Sequence, residues 1–245
     1  MARYLIFDSY GTLVEMDDFY GRLQAGFAKI GAALPLEVVV KAAHREMRHY
    51  MERARFARDH KSWHDLRHEC AGVLAAAIRE QNYPLNVPPD TVAQVLFDSV
   101  VFRALPHVQS TLEELKARGM RLGVLSNWDF RLPVALEETG LAHLFDFVLT
   151  SAGAGSEKPK REIFEKGLAL ARRFAPNLAT RDCYYVGDHY EKDVLGARAA
   201  GLSPLWLVSE TRDIASGDIH DAHDSVPRLR SLRDLLKLFR DETTK

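Results

Sequence analysis

Three features of this 245-residue chain predict an α/β fold, a parallel sheet with helices on both faces interrupted near its start by an all-helical insertion. First, Tyr4-Leu5-Ile6-Phe7 is an unbroken run of β-formers that ends at Asp8, with a Gly11-Thr12 turn after it. Buried strands of parallel sheets read as such continuous apolar runs. Second, from Pro106 onward strand and helix patterns alternate, which implies strands joined by helical crossovers. Third, from about Asp17 to Phe102 the pattern is helical, so the first strand must join its sheet across an insertion. The expected division is a core of residues 1–16 and 103–245 and a helical cap of residues 17–102.

Inside the insertion, segments 20–31, 37–58, 62–81 and 90–99 are rich in Ala, Leu, Arg, Glu and Met. Gly31, Pro35, Pro84 and the Pro88-Pro89 pair punctuate them, as helix-breaking residues do. Beyond Pro106 the reading is a helix over 107–118 stopped by Gly119, a strand over 121–125, a helix over 130–139 ended by Gly140 and a strand over 145–149. Next come a helix over 160–173, a strand over 183–186, a helix over 190–200 closed by Gly201, and a strand over 204–208. An amphipathic helix over 228–240 closes the chain, and the polar stretch 209–227 reads as a loop.

Composition narrows the function classes. A hydrophobic content of 47% is ample for a packed interior, and a net charge of −1 provides no general field for nucleic acid or an anionic membrane. Anion binding must therefore be local. Cys70 and Cys183 are too few and too far apart for a disulfide framework or a four-ligand zinc site, and read as small apolar fillers. The short apolar run after Arg3 falls far short of a signal peptide core or a membrane span, so a cytoplasmic location is expected.

Chemistry-bearing residues recur at the ends of the predicted strands, where open α/β sheets bind ligands. Aspartate is ordinarily an anion at neutral pH, so Asp8 can act as a covalent nucleophile. Ser126-Asn127 ends the second strand with a hydroxyl and an amide able to donate to an anionic oxygen, although such pairs also serve as ordinary turn formers. After the third strand, the loop 151–159 reads as flexible and carries Lys158 before Pro159, whose ring favours an extended Lys158. After the fourth, Asp188 and Asp193 flank a helix start and supply hard oxygen ligands suited to Mg²⁺.

In this order, at four successive strand ends, these pieces resemble the haloacid dehalogenase superfamily of aspartate-nucleophile hydrolases. Ser126-Asn127-Trp128-Asp129-Phe130-Arg131-Leu132, Phe145-Asp146-Phe147-Val148-Leu149-Thr150-Ser151, Lys158-Pro159 and Val186-Gly187-Asp188-His189-Tyr190 are similar to its haloacid dehalogenase-like hydrolase domain-containing subgroup. The resemblance implies a Rossmann-like core, a helical cap, and Asp8 as the nucleophile, with Ser126 donating to a phosphate and Lys158 orienting Asp8. It implies Mg²⁺ held by Asp8, Asp188, Asp193 and the backbone carbonyl of Tyr10. Thr12 and Asn127 join Ser126 and Lys158 as expected substrate-binding residues.

One position departs from the superfamily's phosphatases, which have a second Asp where this chain has Tyr10. That Asp protonates the leaving alcohol, work worth about 10²–10⁴ in rate. Asp8-Ser9-Tyr10-Gly11-Thr12-Leu13 also resembles the opening of 2-haloacid dehalogenases, whose halide leaves without a proton. Against that, Asp8, Asp188 and Asp193 crowd like charges that repel by about 4 kcal/mol at 4 Å and an effective dielectric near 20, so a cation is needed among them. The dehalogenases' carboxylate-binding cap Arg corresponds to the stretch Ala43-His44-Arg45-Glu46-Met47-Arg48-His49-Tyr50, best aligned with His44, and its role is carried over to no residue here. Residues 41–68 hold five of the ten histidines and eight Lys or Arg against four acids, either an anion-recognising cap face or a solvated surface. His64 and His68 have metal-ligand spacing but lack an evident third ligand. The leading expectation is a Mg²⁺-dependent hydrolase of a small phosphorylated substrate, with no nucleic acid or membrane partner. The alternatives are a metal-independent 2-haloacid dehalogenase and a catalytically weak protein that binds a phosphorylated ligand or a partner.

Overall fold

Side chains alternate across a strand, and in β1 (Tyr4–Phe7) both faces are buried. Leu5 and Phe7 enter one apolar cluster, Tyr4 and Ile6 the other, which is why the segment carries no charged residue. Burying each such side chain contributes about 1.5–3 kcal/mol. A computed structural model describes residues 3–208 and 225–240. In it β1 lies between β4 (Arg121–Ser126) and β6 (Cys183–Gly187), parallel to both. With β5 (Phe147–Thr150), β7 (Ser203–Leu207) and β8 (Arg228–Leu229) these form a six-stranded parallel sheet in the order β5-β4-β1-β6-β7-β8.

Helices cover both faces, as in a Rossmann-like fold. On one side α5 (Val108–Ala117) and α6 (Leu132–Glu138) contribute Leu112, Leu115 and Leu136 to the cluster around Phe7. On the other, α8 (Arg161–Phe174) and the short α9 (Gly196–Ala199) bring Phe164, Leu168 and Ala197 against Ile6 and Leu125. Four helices, α1 (Phe19–Lys29), α2 (Leu36–Arg53), α3 (His60–Arg79) and α4 (Pro89–Ser99), form the insertion around a separate cluster that includes Leu23, Phe27, Val39, Leu74 and Ile78. A capping box starts α3: Asp59 Oδ1 accepts from Ser62 N at 2.8 Å.

Several elements differ from expectation. β2 (Val14–Met16) and β3 (Phe102–Ala104) form an antiparallel ribbon at the root of the insertion, each strand too short to show a period. The predicted 37–58 helix ends at Arg53 and passes into a 3₁₀ turn, Ala54–Phe56. The 151–159 stretch, expected as a flexible loop, begins with α7 (Ser151–Ala154), where Thr150 Oγ1 accepts from Gly153 N at 3.0 Å. Gly155 ends that helix at φ 68°, a left-handed conformation suited to glycine. The predicted 190–200 helix opens as a π-helical turn, Tyr190–Leu195. The final helix shortens to α10 (Asp234–Leu238), because Arg228–Leu229 pairs with β7 as an edge strand. Most of the polar stretch 209–227, residues 209–224, lies outside the described residues. No described helix is long and apolar enough to cross a membrane.

Candidate active site

Because the central strands run parallel, their carboxyl ends meet at one edge of the sheet. Asp8 extends β1 by one more ladder bond, its N–H donating to Val186 O at 2.8 Å, and so stands beside the ends of β4 and β6. Gly11, at φ 84°, then lets the chain turn back sharply. Gly187 serves closeness instead: a Cβ there would sit 2.4 Å from Asp193 Cγ.

Lys158 is the hub. Its ammonium donates to Asp8 Oδ1 and to Asp193 Oδ1, both at 2.6 Å, with only 3% of its side chain exposed. Ser126 Oγ donates to the same Asp8 oxygen at 2.8 Å. Asp8 Oδ2 makes no hydrogen bond among the described residues, so one carboxylate oxygen is anchored and the other is left available. Burial alone would lower the Lys158 pKa, but Asp193 and Asp8 outweigh it and hold the ammonium above its ordinary range. Burial pushes Asp193 up to about 6, with Asp8 and Asp188 adding to the shift and Lys158 opposing it.

Asn127, expected to bind substrate, is occupied with the lysine. Its Oδ1 accepts from Lys158 N at 2.8 Å and its Nδ2 donates to Lys158 O at 3.0 Å, clamping the backbone that carries the ammonium. Asp193, expected as a metal ligand, accepts from His189 N through Oδ2 at 2.9 Å as well as from Lys158, so it also braces the lysine. The hydroxyls of Ser9 and Thr12 are buried without a hydrogen-bond partner among the described residues. Such orphaned groups cost about 1–3 kcal/mol each and are natural contacts for a bound polar group.

Asp8, Asp188 and Asp193 each offer an oxygen, all within 4.8 Å of one another. Asp8 and Asp193 meet the Lys158 ammonium and Asp188 joins them in the same cluster, a set of hard oxygens that fits a divalent cation such as Mg²⁺. His64 and His68 place Nε2 atoms 3.2 Å apart on α3, but no third protein ligand completes that pair among the described residues. His44 contacts the Tyr20 hydroxyl at 2.9 Å and does not border the cavity over the strand tips.

That cavity, about 660 Å³, is bordered by Tyr10, Asn127 and Trp128 from the strand-tip loops and by side chains of the helical insertion. Contacts across this boundary hold the insertion over the site. Tyr50 donates to Asp129 Oδ2 at 3.0 Å, Phe130 N donates to Ala57 O at 3.1 Å, and Arg55 pairs with Glu157. Burial raises the Asp129 pKa, against hydrogen bonds from Arg131 N and Tyr50 that lower it.

Sequence reading missed Glu46, which also borders the cavity. As one acid in a basic, helical stretch it carried no signal beyond its place on the apolar face of α2, beside Ala42 and Ala43. Burial pushes Glu46 up to about 7 from an ordinary 4.5, opposed by a hydrogen bond from the Cys70 thiol. Below the ordinary value both folded and unfolded chains hold the proton; as pH rises toward 7 the unfolded chain ionises first and the fold loses stability. Glu46→Gln is therefore expected to match the parent near pH 4.5 and to exceed it increasingly up to about pH 7. The plateau is on the order of 3 kcal/mol, read from melting curves across pH.

The family model for haloacid dehalogenase-like hydrolases matches residues 2–201. This chain belongs to that family. Among haloacid dehalogenase-like hydrolases, a bovine haloacid dehalogenase-like hydrolase domain-containing protein 3 is 37% identical over 188 residues, covering 74% of this chain and 66% of that protein. A glyceraldehyde 3-phosphate phosphatase from Methanothermobacter thermautotrophicus is 33% identical over 144 residues, 56% of this chain and 59% of the relative. The alignments thus span somewhat under two thirds of the relatives' own length. In three dimensions the chain is similar to a Bacillus subtilis HAD-hydrolase crystallised with magnesium, with a TM-score of 0.67 at 16% identity over 98% of this chain and 99% of the other. That likeness concerns the fold.

Proposed function

We propose that this haloacid dehalogenase-like hydrolase is a Mg²⁺-dependent phosphatase of small phosphorylated substrates, with Asp8 as nucleophile. The observation that carries the reading is the half-engaged Asp8 carboxylate, held by Lys158 and Ser126 within a cluster of three carboxylates. Asp8 Oδ2 attacks phosphorus, the Asp8–phosphorus bond forms as the bond to the alcohol oxygen breaks and that oxygen takes a proton from solvent, and water then attacks phosphorus, losing a proton to solvent as it releases phosphate and restores the carboxylate. Lys158 and Ser126 hold Asp8 in line, and Lys158 and the Ser9 and Thr12 hydroxyls donate to phosphate oxygens. Mg²⁺, held by Asp8, Asp188 and the Tyr10 carbonyl with Asp193 alongside, would neutralise charge on the transferring group. Residues 17–102 act as a cap that excludes water.

Phosphate release from a panel of phosphomonoesters, with and without Mg²⁺, tests this. EDTA is expected to abolish release and Mg²⁺ to restore it. The Asp8-Ser9-Tyr10 run favours a second reading, in which EDTA-insensitive halide release from 2-chloropropionate replaces phosphate release. Tight phospholigand binding without turnover would mark the binding-protein alternative.

Tyr10 stands where the superfamily's phosphatases have the carboxylic acid that protonates the leaving alcohol, so that acid is missing here. Tyr10→Asp is expected to raise kcat on alkyl phosphates by about a hundredfold, the lower end of general-acid contributions, with less effect on p-nitrophenyl phosphate, whose leaving group needs no proton. An equal gain on both esters would contradict that role.

A further inference from the structure

The cavity is larger than a compact phosphoester requires. Pockets of about 300–1,000 Å³ accommodate drug-sized ligands, and this one, about 660 Å³, is lined mainly by apolar and aromatic side chains, among them Tyr50, Trp63, Phe97 and Trp128. A three-carbon phosphate would leave most of that surface uncovered.

Glu46 is one of the charged side chains in this lining, with Arg67, Asp98, Asp129, Arg131 and Glu138. It is 6% exposed, and the partner its carboxyl finds is the Cys70 thiol, a weak donor. No ion pair to Glu46 exists among the described residues. Arg67, which also lines the cavity, donates to Ala93 O at 3.2 Å and Gln94 Oε1 at 3.3 Å and lies over the Trp63 and Phe97 rings. A carboxyl group accepts up to about four hydrogen bonds, so Glu46, with the Cys70 thiol as its partner, keeps acceptor capacity that a ligand hydrogen entering the cavity can use.

We propose that the cavity receives the alcohol portion of the substrate, an aromatic or similarly bulky apolar group bearing a hydroxyl or amine hydrogen that meets Glu46. This rests on the phosphatase reading of the strand-tip site. A pocket built to accept a hydrogen bond discriminates strongly against analogues that lack the donor.

The test compares 2-(4-hydroxyphenyl)ethyl phosphate with 2-phenylethyl phosphate and glyceraldehyde 3-phosphate. The expected kcat/KM for the hydroxylated ester is at least about tenfold above either of the others. Glu46→Leu is expected to bring the ratio of the two aromatic esters to about one, and Glu46→Gln, which retains an acceptor oxygen, to keep most of it. Equal rates in the parent protein, or a ratio that survives Glu46→Leu, would overturn the assignment. If no phosphate ester is turned over, the phosphatase reading fails separately, and titration with 2-(4-hydroxyphenyl)ethanol decides, followed by tryptophan fluorescence from Trp63 and Trp128. Saturable quenching lost in Glu46→Leu supports the pocket; no quenching, or quenching unchanged by the substitution, overturns it.

Discussion

Asp8→Asn is expected to reduce phosphate release at least about a thousandfold, because it removes the only proposed nucleophile while nearly preserving its shape. The substitution leaves an amide where Ser126 Oγ at 2.8 Å and the Lys158 ammonium at 2.6 Å now meet a charged oxygen. Lys158 keeps Asp193 as a counter-charge, also at 2.6 Å, so the fold is expected to survive. Circular dichroism and a melting curve close to the parent's would show that the loss is chemical. Activity within tenfold of the parent would remove Asp8 from the reaction and leave the other strand-tip groups without a role.

Lys158→Met is expected to damage both stability and turnover. The ammonium is the shared partner of two carboxylates whose side chains are 10% and 1% exposed, Asp8 and Asp193. Removing one partner of a buried ion pair typically costs about 3–5 kcal/mol, because the charge left behind is no longer compensated. For a chain of this size that corresponds to a fall in melting temperature of about 10 °C. Turnover should fall at least about a hundredfold, since Asp8 would lose the group that aims it. A divalent cation among the same carboxylates should recover part of the stability, so melting with and without Mg²⁺ separates the charge effect from loss of packing. A variant that melts with the parent in both conditions would show that the buried ammonium contributes little.

The sheet was legible in sequence because burial on both faces forces an uninterrupted apolar run, as in Tyr4–Phe7, and such a run needs no knowledge of its partners. The elements that escaped notice lack that signature. β2 and β3 hold three residues each, and Arg228–Leu229 became a strand only because β7 presented an open edge. The extra residue in the Tyr190–Leu195 turn is likewise tied to tertiary contacts, since it accompanies the bonds Asp193 makes to His189 N and Lys158.

The sequence pointed to candidate groups at the strand ends, and the structure shows which of them meet. Asp8, Ser126, Lys158, Asp188 and Asp193 stood out because each follows a strand, a position defined locally. That Asn127 clamps the backbone of Lys158, and that Asp193 braces its ammonium, depends on loops 31 and 35 residues apart in sequence being brought together.

Periodicity and composition were enough for β1, β4, β5, β6 and β7 and for the run of helices between β1 and β4, because these follow from which stretches can be buried, whereas β2, β3 and β8 were not. Packing of distant segments set which carboxylate oxygen of Asp8 stays available, which residues serve Lys158, and that Glu46 faces an apolar cavity. Hydrogen bonds and ion pairs act over a few ångströms in space, and Lys158 meets Asp8 across 150 residues of chain, a distance over which no local pattern extends.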